Sequence, residues 1–205
     1  MVSSCAFSEG CSLMRRLGPD DYRDMPWKNG GGVTRELWKL PHPFDPARFL
    51  ARVSIATVGA SGPFSVFPGV DRTLMILEGA GVALTIDGTR EVVLDQRLRP
   101  FEFPGEAGIQ CRLLGGPVRD FNLMVDRALV QGSLEVVRLA PGETRTLAGA
   151  GTVLLHVLEG RATLPGEPLA RDETLWLEEP GLLMLRSDEG AIVVAIQLER
   201  RPLAP

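Results

Sequence analysis

Thr73-Leu74-Met75-Ile76-Leu77-Glu78-Gly79 and Leu154-Leu155-His156-Val157-Leu158-Glu159-Gly160 carry one pattern, an apolar run of strand length closed by Leu-Glu-Gly. Such a run, rich in branched side chains and stopped by glycine, reads as a buried strand ending at a turn. Further along, Phe101-Glu102-Phe103-Pro104-Gly105 is echoed by Leu177-Glu178-Glu179-Pro180-Gly181, in the same order and at a similar offset. Two matches in order indicate two copies of one strand-turn-strand unit. The boundary between the copies falls between Arg127 and Gly132.

Outward from these copies the chain continues as strands. Residues 33–40, 49–58, 82–86, 91–94, 121–125, 134–139 and 191–198 are apolar or alternating runs, and Asp87-Gly88 is a two-residue hairpin signal. Helix signals are weak; one turn is expected at Asp45-Pro46-Ala47-Arg48. The 23 glycines and 16 prolines among 205 residues suit short strands and tight turns. The reading is all-β, a sandwich or barrel.

Charge narrows the partners. Lys and Arg number 22 against 26 Asp and Glu, for a net charge of −4, and the arginines are scattered. Nucleic acid calls for a concentrated basic surface, which is not present. Cys5, Cys11 and Cys111 are too few for a disulfide framework or a cysteine zinc site. Residues 1–12 have no apolar core of a secretory signal, and no apolar run approaches the ~20 residues of a membrane span. The expectation is a cytoplasmic protein with a disordered tail over 1–12.

A strand ending in Leu-Glu-Gly, a second strand and a Pro-Gly turn resemble the core of the cupin barrel, and two copies make a bicupin. The expected domains are an N-terminal cupin-like barrel over 13–128, carrying the pocket, and a smaller C-terminal half over 129–205. The resemblance implies metal ligation by three histidines and a glutamate in the enzymes of that fold. Here only His42, between two prolines, and His156, inside an apolar strand, are available. Metal sites need several convergent ligands, so neither metal nor cofactor is expected, and His156 reads as a hydrogen-bonded core residue.

Period-2 alternation assigns side chains to faces. Arg52 and Ser54 share one face of their strand; Thr34, Glu36 and Trp38 share another; Asp120, Asn122 and Met124 share a third. These sets face either water or a lumen, and a lumen of this kind must pair its polar groups or bind something polar. The corresponding strand of the second copy, around Ile192–Ile196, has no such set, so the pocket is placed in the first copy and the second is read as scaffold. The three glycines after Trp27-Lys28-Asn29 can gather backbone N–H groups around an anion or simply open a hairpin, two readings that are compatible. Asp71 and Arg72 either pair with each other or leave Arg72 to clamp a carboxylate.

Four blocks are specific when taken in order: Trp27-Lys28-Asn29-Gly30-Gly31-Gly32-Val33-Thr34-Arg35-Glu36; Arg52-Val53-Ser54-Ile55-Ala56; Gly62-Pro63-Phe64-Ser65-Val66-Phe67-Pro68-Gly69-Val70-Asp71-Arg72-Thr73; and Gly116-Pro117-Val118-Arg119-Asp120-Phe121-Asn122-Leu123-Met124. They resemble the successive signatures of the HutD/Ves family. That resemblance implies a bacterial bicupin linked to histidine utilisation or stress response, acting as an accessory or regulatory protein that binds urocanate or formylglutamate. No reaction comes with it.

The preferred expectation is a non-catalytic binder of a small carboxylate, with no catalytic residue assigned. Arg52, with Arg72 or Lys28, holds the acid; Asn29, Thr34, Ser54, Ser65, Asp120 and Asn122 orient it; Phe64 and Trp38 supply apolar wall. Glu36 or Asp120 partners Arg52 in the empty protein. The alternatives are a metal-independent isomerase or hydrolase using Glu36 or Asp120 as base, and a structural or partner-binding protein with a filled barrel. Exposed sheet faces could pair two copies as a homodimer.

Overall fold

The computed structural model describes residues 13–202; the expected tail over 1–12, with Cys5 and Cys11, lies outside the described residues. The strands, in chain order, are β1 (Leu13–Leu17), β2 (Arg23–Pro26), β3 (Gly32–Pro41), β4 (Phe49–Val58), β5 (Gly62–Pro63), β6 (Val70–Glu78), β7 (Val82–Ile86), β8 (Arg90–Leu94), β9 (Phe101–Pro104), β10 (Ile109–Leu113), β11 (Val118–Asp126), β12 (Val130–Leu139), β13 (Thr144–Gly149), β14 (Thr152–Leu164), β15 (Glu167–Ala170), β16 (Thr174–Glu178), β17 (Gly181–Arg186) and β18 (Ala191–Arg200). Among the described residues a single 3-10 turn, Pro19–Asp21, interrupts them. The expected helical turn at Asp45 is a plain turn, in which the Asp45 side chain accepts from the Ala47 N–H. Two compact units emerge, residues 22–130 and residues 13–21 with 131–202.

In the first unit a six-stranded sheet, β2-β3-β4-β11-β6-β9, faces a four-stranded one, β5-β10-β7-β8. Between them lies a core that takes Ala56, Leu74 and Ile76 from the larger sheet and Leu84, Ile109 and Cys111 from the smaller. Alternation puts the next residues of the larger sheet, such as Val53, Met75 and Phe121, on its other face, where they are also buried. Asp87 and Gly88 both have positive φ (50° and 71°) at the centre of a tight turn closed by the Thr89 N–H on the Ile86 carbonyl, and with Thr89 they make a three-residue loop between β7 and β8 rather than the two-residue hairpin expected. The two sheets do not close into a barrel among the described residues. β2, β5 and β9 each end in proline, which has no N–H for a further ladder and so stops the edges from joining.

The second unit pairs β1-β16-β14-β17-β13, with β18 against β14 and β12, and β15 against β14. Its core is aliphatic: Val153, Leu155, Val157, Leu175, Leu177, Leu185, Val193 and Ala195 form one cluster. β1 corrects the expected domain limits. It pairs with β16 from Leu13↔Glu178 to Leu17↔Thr174, and Met14 packs on the aliphatic core, so residues 13–21 belong to this unit.

The repeat read from the sequence is a repeat of ladders. β6 lies between β11 and β9, and β14 lies between β18 and β16. Each ladder slips by one residue at the leucine of Leu-Glu-Gly: Arg119 pairs Glu78 while Asp120 pairs Ile76, and Glu159 pairs Ile192 while Val157 pairs Val193. A bulge leaves one residue unpaired and bends the strand. Glycine follows in both copies for one physical reason. Gly79 and Gly160 have φ of 97° and 70°, and an added Cβ would stand 2.6 Å from the Pro117 carbonyl oxygen and 2.0 Å from that of Gly190. The copies then differ, because the first chain leaves the sheet at Gly79 while β14 continues to Leu164.

Candidate functional site

Neighbouring strands of the larger sheet in the first unit align their inward residues in rows. Ser54 stands between Glu36 and Asn122, and Asn122 stands beside Leu74; one step along, Arg52 stands by Met124, and Met124 by Arg72. One step the other way, Ala56 flanks Asp120. Successive rows are two residues, or about 7 Å, apart. They form the wall of a half-open cavity of about 580 Å³. The polar alternation read from the sequence therefore faces inward.

Two guanidiniums mark the cavity. Arg52 Nε is 2.9 Å from Glu36 Oε2, with both side chains partly exposed, but the pair is not aligned as a hydrogen bond. Arg72 is buried, and its guanidinium carbon lies 4.9 Å from the centroid of the Phe103 ring, 5.4 Å from Phe64 and 5.7 Å from Phe67. Ring faces attract a cation at this range. Burial lowers the Arg72 pKa to about 10; the Asp120 charge opposes the change and the Arg52 charge adds to it. Arg72 thus stays charged at neutral pH, and its Nε has no hydrogen-bond partner.

Asp120 is the other unusual group. Burial pushes its pKa up to about 7, against the pull of Arg72. Its Oδ1, like Oδ1 of Asn122 beside it, is buried without a hydrogen-bond partner. The Cys111 thiol is pushed up to about 11 by burial and by the Asp120 charge.

A hairpin from β2 to β3 borders the cavity. Trp27 Nε1 donates to Thr34 Oγ1 at 2.8 Å, and the Trp27 backbone N–H donates to the Gly32 carbonyl. Gly32 has to be glycine: a Cβ would stand 2.4 Å from the Thr57 carbonyl oxygen and 3.1 Å from the Trp27 ring. Asn29 Oδ1 accepts from the Gly31 N–H at 3.0 Å, and the Gly31 carbonyl accepts from Gly59. These bonds are those of a hairpin entry, the plainer of the two readings of the glycines.

Of the residues singled out from the sequence, Lys28, Asn29, Thr34, Arg52, Ser54, Phe64, Ser65, Arg72, Asp120 and Asn122 line this cavity. Lys28, Asn29 and Ser65 are exposed at its rim. Glu36 is not part of the lining and meets it through Arg52. Trp38 is a correction: the ladder shifts between Glu36 and Trp38, the alternation breaks, and Trp38 is buried outside the cavity. Asp71 points away from Arg72, as consecutive strand residues must, and its carboxylate sits 2.9 Å from Arg127 Nε. Trp27, Phe67 and Met124 line the cavity and were not assigned to it. Met124 shares the Asp120 face in the alternation, a signal that was legible; Phe67 comes close only through the path of its loop. His156 is buried, with Nδ1 2.9 Å from Thr174 Oγ1, as expected of a core histidine. Among the described residues no three His, Cys, Asp or Glu side chains gather as a metal site, and no helix is long and apolar enough to cross a membrane.

Fold and site together define an all-β protein of two compact units, the first holding a polar cavity with two arginines. Residues 19–195 match the model of the HutD family, and the chain belongs to that family. An uncharacterised 21.2 kDa protein in the hutC 3' region of Pseudomonas putida is 38% identical over 70% of this chain and 73% of its own length. Protein Ves of Cronobacter sakazakii is 34% identical over 84% of this chain and 94% of its own. Among solved structures, HutD from Pseudomonas fluorescens SBW25, in a formate condition, superposes with a TM-score of 0.79 at 33% identity, covering 93% of this chain and 100% of that one.

Proposed function

We propose that this protein is a bicupin whose first unit binds a small carboxylate between Arg52 and Arg72, and that it serves as an accessory or regulatory protein of the cytoplasm, in histidine utilisation. One observation carries the reading: two guanidiniums converge on one cavity, and Arg72 is held there by aromatic rings with no acid hydrogen-bonded to it. A buried arginine costs stability unless it is matched, and a carboxylate matches its fork in two parallel hydrogen bonds. Asn122, Ser54 and Thr34 orient the rest of the molecule, against Phe64 and Trp27. The relatives' hut-region and HutD names support the pathway.

A thermal-shift panel of urocanate, formylglutamate, glutamate, histidine, formate and neutral sugars tests this. At a hundred times its Kd an acid stabilises the fold by about 2.7 kcal/mol, a shift of roughly 5–10 °C for a chain of this size. Arg52→Ala should remain folded and lose the shift. A shift by sugars alone, or one that survives Arg52→Ala, sinks the arginine clamp. Catalysis has one supporting observation, a cavity acid with a pKa of about 7 at Asp120. It calls for chemical change in the acid that shifts the protein, seen by NMR and abolished in Asp120→Asn.

A further inference from the structure

The carboxylate reading leaves Asp120 as a contradiction, an acid on the wall of a pocket meant for acids. Its Oδ1 accepts no hydrogen bond, Arg72 Nε donates none, and the Arg72 guanidinium is faced by Phe103, Phe64 and Phe67. A buried carboxylate with no donor is the form that folding disfavours most, and a proton removes the charge.

The charges around Asp120 come from four strands. β6 supplies Arg72 and β4 supplies Arg52; β3 supplies Glu36, in contact with Arg52; β10 supplies Cys111, whose pKa of about 11 keeps it a neutral thiol. β9 presents the uncharged Phe103. Lys28 is out at the rim, where water and salt screen it. With Asp120 ionised, two cations meet two anions and the cavity is neutral. With Asp120 protonated, the cavity keeps one unmatched positive charge.

We propose, resting on the carboxylate-binding reading above, that the cavity takes up a small monoanion together with one proton, which settles on Asp120. The proton comes from solvent, the Asp120 carboxylate becomes a carboxylic acid, and no bond in the bound acid changes. Protonation removes the Asp120 charge that faces Arg72, so that both arginines face the incoming carboxylate. The site thereby selects monoanions, since a second negative charge would meet Lys28 alone, out at the rim where water and salt screen it. Occupancy becomes a readout of pH as well as of acid concentration.

Acetate, benzoate and the acids of the panel are titrated by tryptophan fluorescence, which Trp27 reports from the cavity wall, between about pH 6 and about pH 9, on either side of the Asp120 value. Apparent Kd should be level below about pH 7 and rise about tenfold per pH unit above it, the slope of one linked proton. Asp120→Asn, fixed in the uncharged form, should bind with a flat profile. A second measurement needs no variant. In weakly buffered solution at about pH 8, adding a saturating acid to the unaltered protein should draw a substantial fraction of one proton per chain, read with an indicator dye. Binding that depends on Arg52 with a flat profile and no proton uptake overturns the proton linkage and leaves the carboxylate reading standing. If no acid binds at any pH, both fall.

Discussion

Arg72, Asp120 and Asn122 occupy in the first unit the ladder positions that Val153, Val193 and Ala195 occupy in the second. The three-stranded frames match, β11-β6-β9 with β18-β14-β16, down to the bulge at Leu77 and Leu158. Phe103, opposite Arg72, corresponds to Leu177, opposite Val153, so the ladders set this match two residues on from the pairing of Phe101 with Leu177 read in the sequence. In the second unit these positions join a continuous aliphatic cluster. In the first they open into a cavity of about 580 Å³. One scaffold thus gives a packed core or a polar pocket according to a few side chains on its inner face. The pocket costs stability, because buried polar groups without partners are unfavourable, and sites for function commonly carry such a cost.

The largest expected effects probe what the two copies share. Gly160→Ala adds a Cβ 2.0 Å from a backbone oxygen at positive φ, and Gly79→Ala one at 2.6 Å. Left-handed strain and overpacking together should cost about 2–6 kcal/mol, with Gly160 the worse. Urea unfolding measures both. A loss below about 1 kcal/mol at either position would mean that the repeated Leu-Glu-Gly turn is not a structural constraint.

Next come substitutions at inward positions of the two ladders, Leu155 beside Ala195 in the second unit and Asn122 beside Leu74 in the first. Leu155→Ala in the aliphatic core should cost about 2–5 kcal/mol. Asn122→Leu, facing the cavity of the first unit, should leave stability unchanged or raise it by about 0.5–2 kcal/mol while abolishing acid binding. A large loss at Asn122 would show that its buried amide is structural, and would weaken the contrast between the units.

The first unit should also confer a pH dependence of its own. The folded pKa of Asp120, about 7, lies above its ordinary 3.8, so the native state holds a proton that the unfolded chain releases. That contribution is complete below about pH 4 and is lost as pH rises to about 7, by at most about 4 kcal/mol. Asp120→Asn should abolish this slope relative to the unaltered protein in denaturant melts across the window. Equal slopes in the two would place the Asp120 carboxylate in contact with water.

The smallest effect expected is on the second unit's exposed charges. Arg145→Ala and Arg171→Ala should change stability by less than about 0.5 kcal/mol and leave acid binding intact. Loss of binding in a folded variant of either would move the site out of the first unit.

The sequence by itself determined the all-β class and the family, because each is written in local signals: period-2 alternation, glycine where φ must be positive, and blocks of residues in a set order. It also assigned Arg52, Ser54, Asp120 and Asn122 to shared faces, since alternation follows from strand geometry alone. Whether those faces met water or a lumen was open, because alternation has no sign until a second sheet covers one side. Only the tertiary structure decided that the polar face turns inward, that Glu36 rather than Asp120 contacts Arg52, and that Asp71 turns away to Arg127. It likewise decided that a bulge withdraws Trp38 and that β1 joins the C-terminal unit. The ring of Phe64, Phe67 and Phe103 around Arg72 was beyond sequence reasoning for the same reason. These contacts join residues far apart in the chain, and ladder register and loop path, set by packing over the whole unit, bring them together.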